Sequence, residues 1–203
     1  MRLFVGIPLA ASATKALAEV RERFEPEASG LRWSAAESWH VTLQFLGQAS
    51  QNQATCVMEK LGALEAARVR MRIEGLGFFE RAGVFWAGVG LSPELLALEQ
   101  KVVAATRGCG FVPEDRAYNP HITLARVKGR GGSGALAPLK RAVERAGAKG
   151  EAAELKAEFT AEEFLLYESF PGPEGSRYEV RARFRLQVTG DGLRVTTTSS
   201  VRG

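Results

Sequence analysis

The chain contains two histidines, and both stand in the same kind of tetrapeptide. His40 opens His-Val-Thr-Leu, and His121 opens His-Ile-Thr-Leu. Because the side chains of a strand alternate between its two faces, each histidine shares a face with the threonine two positions on, Thr42 or Thr123. The aliphatic residues point the other way, toward a core. A polar strand face of this composition, present twice, is typical of a functional site.

Two imidazoles that face one another can act as a general acid and a general base, since histidine titrates near neutral pH. The threonine hydroxyls can donate hydrogen bonds to an anionic oxygen. This combination fits displacement at phosphorus, in which one histidine deprotonates a water and the other protonates the leaving oxygen. Two histidines without clustered carboxylates supply few ligands for a catalytic metal, so we expect no metal and no cofactor.

The two motifs lie at equivalent points of an internal repeat. Residues 3–10 (LFVGIPLA) align with 85–92 (FWAGVGLS) at an offset of 82, and the motifs align at an offset of 81. Each half reads as strand, helix, motif strand, helix and strand. A unit of about 80 residues is too long for a solenoid repeat, which favours two related lobes packed as one domain around a cleft.

The periodicity also locates the individual elements. One strand covers the first residues up to Pro8, and Leu17, Val20 and Phe24 mark the apolar face of the following helix. The spacing of Ser50 and Gln53 predicts a capping box that opens a helix to about residue 68. Ser92 and Pro93 open another helix, and a further one contains Leu136, Leu139 and Val143. The remaining strands are predicted at about 69–74, 84–90, 120–124, 153–159, 163–169 and 178–187.

The composition excludes several protein classes. Of 203 residues, 45% are hydrophobic and 25% are charged, which is typical of a globular chain and excludes collagen-like repeats and general disorder. No apolar run is long enough for a membrane span. A net charge of +4 favours an anionic partner without identifying one. We expect a single domain over residues 1–190, followed by a disordered tail over 191–203.

These motifs resemble those of the 2H phosphoesterases, a family named for two His-x-Thr motifs. Within it the chain is similar to the bacterial RNA 2′,3′-cyclic phosphodiesterases, historically called 2′-5′ RNA ligases, in the stretches RLFVGIPL, RWSAAESWHVTLQFLG, NPHITLAR and LLYESFPGPEGSRYEV. The resemblance covers roughly residues 2–187. It implies a bilobal α+β fold with a pseudo-twofold duplication, in which two antiparallel sheets with outer helices surround a central cleft.

The resemblance also implies roles for individual residues. His40 would be the general acid that protonates the 3′ leaving oxygen, and His121 the general base that activates water, although the pseudo-symmetry of the halves leaves the reverse assignment open. Thr42 and Thr123 would bind the phosphate oxygens. Arg126 corresponds to an arginine that follows the second motif, and its planar fork suits a phosphate. Since Arg126 is five residues after His121, a bulge near Ala125 would be needed to turn it toward the cleft.

The implied reaction is hydrolysis of a 2′,3′-cyclic phosphate at an RNA end to a 2′-phosphomonoester. Cyclic nucleotides are further expected substrates, and we expect a cytoplasmic monomer without membrane attachment. Two alternatives stay open at this point. One is 2′-5′ RNA ligation as the main direction, and the other is an RNA-end-binding module without turnover.

Other features of the sequence have simpler interpretations. The glycine-rich stretch 128–134 lacks the spacing of a phosphate loop and indicates a flexible connection, although its basic residues could touch an RNA backbone. Alternation places Trp39 and Phe45 opposite His40, which predicts core packing for both rings. Cys56 and Cys109 are 53 positions apart and are expected as free thiols. An arginine-bearing face of the last strand is either solvated or a polyanion-binding stripe, and it comprises Arg181, Arg183 and Arg185.

Overall fold

A computed structural model describes residues 1–129, 133–148, 155–172 and 175–188. Within these ranges the helices are α1 (Ala11–Phe24), α2 (Gln51–Gly62), α3 (Pro93–Arg107) and α4 (Ala137–Ala148). The strands are β1 (Arg2–Pro8), β2 (Leu31–Trp33), β3 (His40–Gln48), β4 (Val69–Phe79), β5 (Val84–Val89), β6 (His121–Val127), β7 (Lys156–Ala161), β8 (Glu163–Phe170) and β9 (Arg177–Arg185). The tail predicted over 191–203 lies outside the described residues.

Two antiparallel sheets carry the two histidine motifs in matching positions. One sheet has the order β3-β1-β8-β9, and the other has the order β2-β6-β5-β4-β7. The motif strands β3 and β6 each pair with the first strand of their own half, β1 or β5. The third strand of the first half, β4, leaves that half and pairs between β5 and β7. The α+β fold class with two antiparallel sheets is therefore confirmed. Strand β4 of the first half belongs to the sheet that carries the second motif.

The pairing register corrects the predicted offset between the first strands of the halves. Val5 lies opposite Gln44, and Phe85 lies opposite Ala125. The motif strands thus correspond at an offset of 81, as predicted, whereas β1 and β5 correspond at 80 rather than 82. A two-residue difference does not change which side chains face inward, because alternation has a period of two.

Helix α2 begins as predicted and ends earlier. The Ser50 hydroxyl accepts a hydrogen bond from the Gln53 backbone N–H (3.2 Å), and the Gln53 side chain accepts one from the Ser50 N–H (3.0 Å), which confirms the capping box. The helix ends at Gly62 rather than near residue 68, because the chain then straightens and the Arg68 N–H donates to the Gln187 carbonyl (2.9 Å).

Strand β4 is longer than predicted and brings Phe79 to the region of the second motif. Its pairing with β5 is interrupted between Ile73 and Leu76, where Gly75 adopts a φ of +73°. A glycine accepts this conformation without strain, so the strand bends and continues instead of ending near residue 74.

Helix α3 packs against β3 and β4 through the predicted apolar stripe. Leu95, Leu98 and Val102 are fully buried there. Their burial fixes the rotation of α3 about its own axis and therefore which of its residues face away from the core. Among the described helices, none is long and apolar enough to cross a membrane.

The prediction of two free thiols is wrong, because Cys56 and Cys109 form a disulfide. Cys56 lies in α2 and Cys109 follows the end of α3, and these two helices pack against one another. The sequence separation of 53 residues hides this proximity, which only the tertiary packing creates. Disulfides persist mainly in oxidising compartments, so this pairing does not support the expectation of a cytoplasmic protein.

The disulfide closes a loop of 53 residues and should stabilise the fold mainly by restricting the unfolded chain. We expect the double substitution Cys56→Ser, Cys109→Ser to lower the free energy of unfolding by about 4 kcal/mol, measured by urea denaturation. A dithiol reductant should lower the stability of the native protein similarly and leave that of the double variant unchanged. Equal stability of the native protein and the double variant would contradict the bridge.

Candidate active site

The two motif strands approach one another, so that both histidines contribute to one site. Strands β3 and β6 are in contact, and each imidazole lies close enough to Arg126 for its charge to act on both. His40 Nδ1 lies 2.7 Å from the Ser38 carbonyl oxygen, and His121 Nδ1 lies 2.9 Å from that of Asn119. In both motifs the bond joins the histidine to the residue two positions earlier.

These two bonds fix the tautomer of each neutral imidazole. A carbonyl oxygen only accepts, so Nδ1 must carry the proton and donate it. Nε2 of each ring is then the atom with a free lone pair. The arrangement leaves Nε2 of both rings available to accept a proton from a substrate or, once protonated, to donate it.

His40 is held by aromatic rings from three strands. Its ring centroid lies 4.6 Å from that of Phe4, 5.7 Å from Tyr167 and 5.2 Å from Tyr178, the last in an edge-on arrangement. Gly6 permits this close packing, because a Cβ there would stand 3.3 Å from His40 Cδ2 and 3.0 Å from a backbone oxygen. The imidazole therefore has little freedom to turn.

His121 is supported by different rings. Phe79, at the end of β4, meets the imidazole edge to face at 4.9 Å, and Trp86 of β5 lies at 6.3 Å. The Trp86 indole covers Gly77, where a Cβ would fall 2.2 Å from the ring. The longer course of β4, which the sequence did not predict, thus supplies part of the second half of the site.

Both motif strands contain a bulge at the leucine of the tetrapeptide. The partners across the ladder skip Leu43 between Thr42 and Gln44, and they skip Leu124 between Thr123 and Ala125. In each strand the leucine and the next residue are both buried. After the bulge the alternation resumes with opposite phase, so the fifth residue after each histidine returns to the histidine's face.

In β6 this fifth residue is Arg126, and in β3 it is Phe45. Arg126 is exposed, and its charge lowers the pKa of both histidines, which places its guanidinium near the two rings. The bulge that its participation requires is present. Phe45 is 49% exposed, so its predicted core packing is wrong, whereas Trp39 is buried as predicted. If the bulge considered for Arg126 is assumed in the first motif as well, it predicts that Phe45 lies on the histidine face.

Thr42 and Thr123 are both partly exposed on the histidine faces, as alternation predicts. The backbone at Thr42 is further fixed by Tyr118, whose hydroxyl donates to the Thr42 carbonyl at 3.0 Å. Tyr118 precedes the second motif by three residues, so this bond ties the approach to His121 to strand β3. No local sequence pattern indicates this residue, because its partner is 76 positions away.

Both histidines are held neutral by their surroundings. Burial lowers the pKa of His40 to about 4, and the charges of His121 and Arg126 act in the same direction. Burial also lowers the pKa of His121, with smaller contributions from Arg126 and Arg116. The carbonyl hydrogen bonds oppose these effects without cancelling them. An anion bound beside the rings would raise both pKa values again, because it stabilises the imidazolium form.

A cavity of about 390 Å³ opens beside His121 and Thr42. Its walls come from β3, the end of β4, helix α3 and the segment before β6, and its residues include Phe45, Phe79, Glu99, Val103, Arg116 and Tyr118. The site therefore has two parts, the polar strand faces with the histidines and a partly aromatic recess next to them.

The arginine-bearing face of β9 and the glycine-rich stretch were further candidates for contact with an anionic partner. Of the arginine-bearing face, Arg183 pairs with Glu163 at 2.7 Å and Arg181 with Glu168 at 3.5 Å. This pairing favours a solvated strand face over a polyanion-binding stripe. Part of the glycine-rich stretch, residues 130–132, lies outside the described residues. Across the described ranges, His, Cys, Asp and Glu side chains form no group of three that could hold a metal ion.

The two imidazoles should be resolved in proton–carbon NMR spectra, because the chain has only two histidines. We expect one ring to titrate near pH 4 and the other below its ordinary value of 6.5. Arg126→Ala should raise the pKa of both rings, since it removes a positive charge beside each. Arg70→Ala, at a site that acts on neither ring, is the matched control. Unchanged titrations in Arg126→Ala would contradict the placement of this arginine.

Comparison with known proteins agrees with this geometry. The family model of LigT-like phosphoesterases matches residues 7–86 and 89–178, and each stretch contains one histidine motif. An RNA 2′,3′-cyclic phosphodiesterase from Aeropyrum pernix is 34% identical over 129 residues, which cover 62% of this chain and 73% of that one. One from Archaeoglobus fulgidus is 28% identical over 188 residues, covering 88% and 97%.

Among solved structures, Escherichia coli LigT complexed with 3′-AMP superimposes with a TM-score of 0.69 at 25% identity, covering 91% of this chain and 97% of that one. The resemblance inferred from the two histidine motifs is confirmed, and the chain belongs to the LigT-like phosphoesterase family of 2H phosphoesterases.

Proposed function

We propose that this protein hydrolyses RNA 2′,3′-cyclic phosphate ends to 2′-phosphomonoesters with its two histidines as acid and base. The observation that carries the proposal is the pair of imidazoles on adjoining strands. Each has Nδ1 bonded to a carbonyl, and its Nε2 makes no hydrogen bond to any residue that the structure describes. Such a pair offers one acceptor and one donor to a phosphate held between them.

The reaction requires one neutral and one protonated ring. The neutral Nε2 removes a proton from a water molecule, whose oxygen attacks phosphorus. The bond from phosphorus to O3′ breaks, and the protonated Nε2 of the other ring delivers its proton to O3′. The phosphate stays on O2′, and each histidine ends in the protonation state with which the other began. The hydroxyls of Thr42 and Thr123 and the guanidinium of Arg126 would bind the non-bridging oxygens.

The lowered pKa values of the two histidines indicate which ring holds a proton before substrate binds. The pKa of His40 is lowered to about 4, and the hydrogen bond that fixes its ring is less exposed than that of His121. A single proton is therefore expected on His121 before substrate binds. For His40 to act as the acid, as the resemblance implies, the bound phosphate must raise its pKa above that of His121.

The relatives support this substrate class. The matched proteins from Aeropyrum pernix and Archaeoglobus fulgidus are both RNA 2′,3′-cyclic phosphodiesterases, and Escherichia coli LigT binds 3′-AMP. RNA ligation to a 2′-5′ bond is the second candidate, because it uses the same groups in the same roles, with a 5′-hydroxyl in place of the water as the nucleophile that attacks the cyclic phosphate. A binding module without turnover is disfavoured, since binding alone does not require two imidazoles with fixed tautomers.

The proposal is tested with an RNA oligonucleotide that ends in a 2′,3′-cyclic phosphate, incubated in excess EDTA. We expect conversion to the 2′-phosphate by the native protein, identified by phosphorus NMR. His40→Ala and His121→Ala should each lower kcat by about 100-fold or more, because each removes one proton-transfer group. Both variants should still bind the RNA.

Lys15→Ala, an exposed substitution on α1, controls for effects of mutation and purification that are unrelated to the site, and its kcat should match that of the native protein. Absence of turnover in the native protein together with retained RNA binding would contradict the enzymatic proposal and favour the binding module. A product with a 3′-phosphate would contradict the direction of bond cleavage.

The pH dependence follows from the lowered pKa values. The productive free site carries one proton on the histidine pair, and this form is most abundant between the two pKa values, both of which lie below 6.5. We therefore expect kcat/KM to be maximal below pH 6.5. The maximum of kcat should lie at higher pH, because bound phosphate raises both pKa values. A kcat/KM maximum above pH 7, or a flat profile between pH 5 and 9, would contradict the mechanism.

A further inference from the structure

The cavity beside His121 contains a carboxylate whose presence the phosphate chemistry does not explain. Glu99 lies on α3, on the cavity wall, and is partly buried. Within the described residues it makes no hydrogen bond or ion pair. Partial burial raises its pKa, and its charge acts on Tyr118 in the same wall.

The rings of the cavity and the carboxylate of Glu99 suit a flat aromatic group that carries N–H donors. Phe45 and Phe79 contribute rings, and Val103 and Pro113 contribute further apolar surface. Arg81, Glu114 and Arg116 also line the cavity, and Arg116 pairs with Glu114. The partly buried carboxylate of Glu99 has no such partner among the described residues, and an N–H donor on a ligand would satisfy it. The volume of about 390 Å³ lies within the range of small-ligand pockets. A nucleobase satisfies all of these conditions, since it is flat, neutral and edged with donors.

We propose that Glu99 selects the base of the terminal nucleotide, so that RNA ends with adenine, cytosine or guanine are preferred over ends with uracil. This inference rests on the proposed function, because it takes the terminal phosphate to lie between the histidines. The cavity adjoins His121 and Thr42, so the base attached to the same ribose is the group that reaches it.

The preference follows from the hydrogen-bonding edges of the bases. Adenine, cytosine and guanine carry exocyclic amino groups, which donate to a carboxylate. Uracil has no amino group, and its one ring N–H stands between two carbonyl oxygens that repel the carboxylate. Glu99 therefore distinguishes the bases by charge and by donor position, while the phenylalanine rings contact any base in a similar way.

The test is a competition among four RNAs that differ only in the terminal nucleotide, each ending in a 2′,3′-cyclic phosphate. We expect the native protein to consume the adenine, cytosine and guanine ends about tenfold faster than the uracil end. Glu99→Gln should bring all four rates to within about twofold of one another, because an amide can also donate to a uracil carbonyl. Glu19→Gln, which removes the same charge from an exposed position of α1, should keep the native preference.

Equal rates for all four ends in the native protein would overturn the inference. So would a Glu99→Gln variant that slows all four ends alike, since this would indicate a structural role. A preference that follows the penultimate base in a second set of RNAs would overturn the assignment to the terminal nucleotide.

Binding of the four nucleoside 2′-monophosphates, measured by calorimetry, separates this inference from the proposed function. The native protein should bind the uridine compound about tenfold more weakly than the others, and Glu99→Gln should remove the difference. If no RNA is hydrolysed, the proposed function fails, and the calorimetric ranking alone decides the role of Glu99. Equal affinities in the native protein would overturn it there as well.

Discussion

In each motif strand the leucine of the tetrapeptide has no partner in the first strand of its own half, β1 or β5, and the composition of the site depends on this one extra residue. Without it, the residues five positions after the histidines, Phe45 and Arg126, would point into the core. A buried guanidinium without a partner would be strongly destabilising. The bulge places three side chains of each strand on the cleft face while the leucine and its successor stay in the core. The duplication repeats this device and fills its last position differently, with a ring in one half and a cation in the other.

Features that depend on neighbouring residues could be predicted from the sequence. The histidine and threonine faces, the caps at Ser50 and Ser92 and most strands follow from local periodicity or side-chain chemistry. Features that depend on distant partners could not. The disulfide, the bond from Tyr118 to Thr42 and the assignment of β4 to the second sheet each join segments that only tertiary packing brings together. Phe45 is an intermediate case. Its exposure could have been predicted by transferring the bulge near Ala125 to the first motif, because the two motifs are copies of one repeat.

Burial of the histidines has opposing effects on the proposed chemistry. The aromatic rings around His40 fix its orientation, and the same rings remove the water that would stabilise its charge. The imidazole rings are thus held in fixed orientations, but they stay largely unprotonated until an anion binds beside them. A phosphate supplies the missing negative charge, so substrate binding itself would generate the acid that the reaction needs. This links turnover to the presence of the phosphate and keeps the imidazoles neutral at other times.

The order of strands in the sheets has a consequence for synthesis on the ribosome. Strand β1 pairs on one side with β3, but its other neighbour, β8, spans Glu163–Phe170 and is made more than 150 residues later. Strand β4 likewise waits for β5 and then for β7. A nascent chain therefore presents unpaired strand edges during most of its translation, and such edges promote association with other chains. Chaperone contact during this interval would protect β1, and shortened translation products would be the species most prone to aggregate.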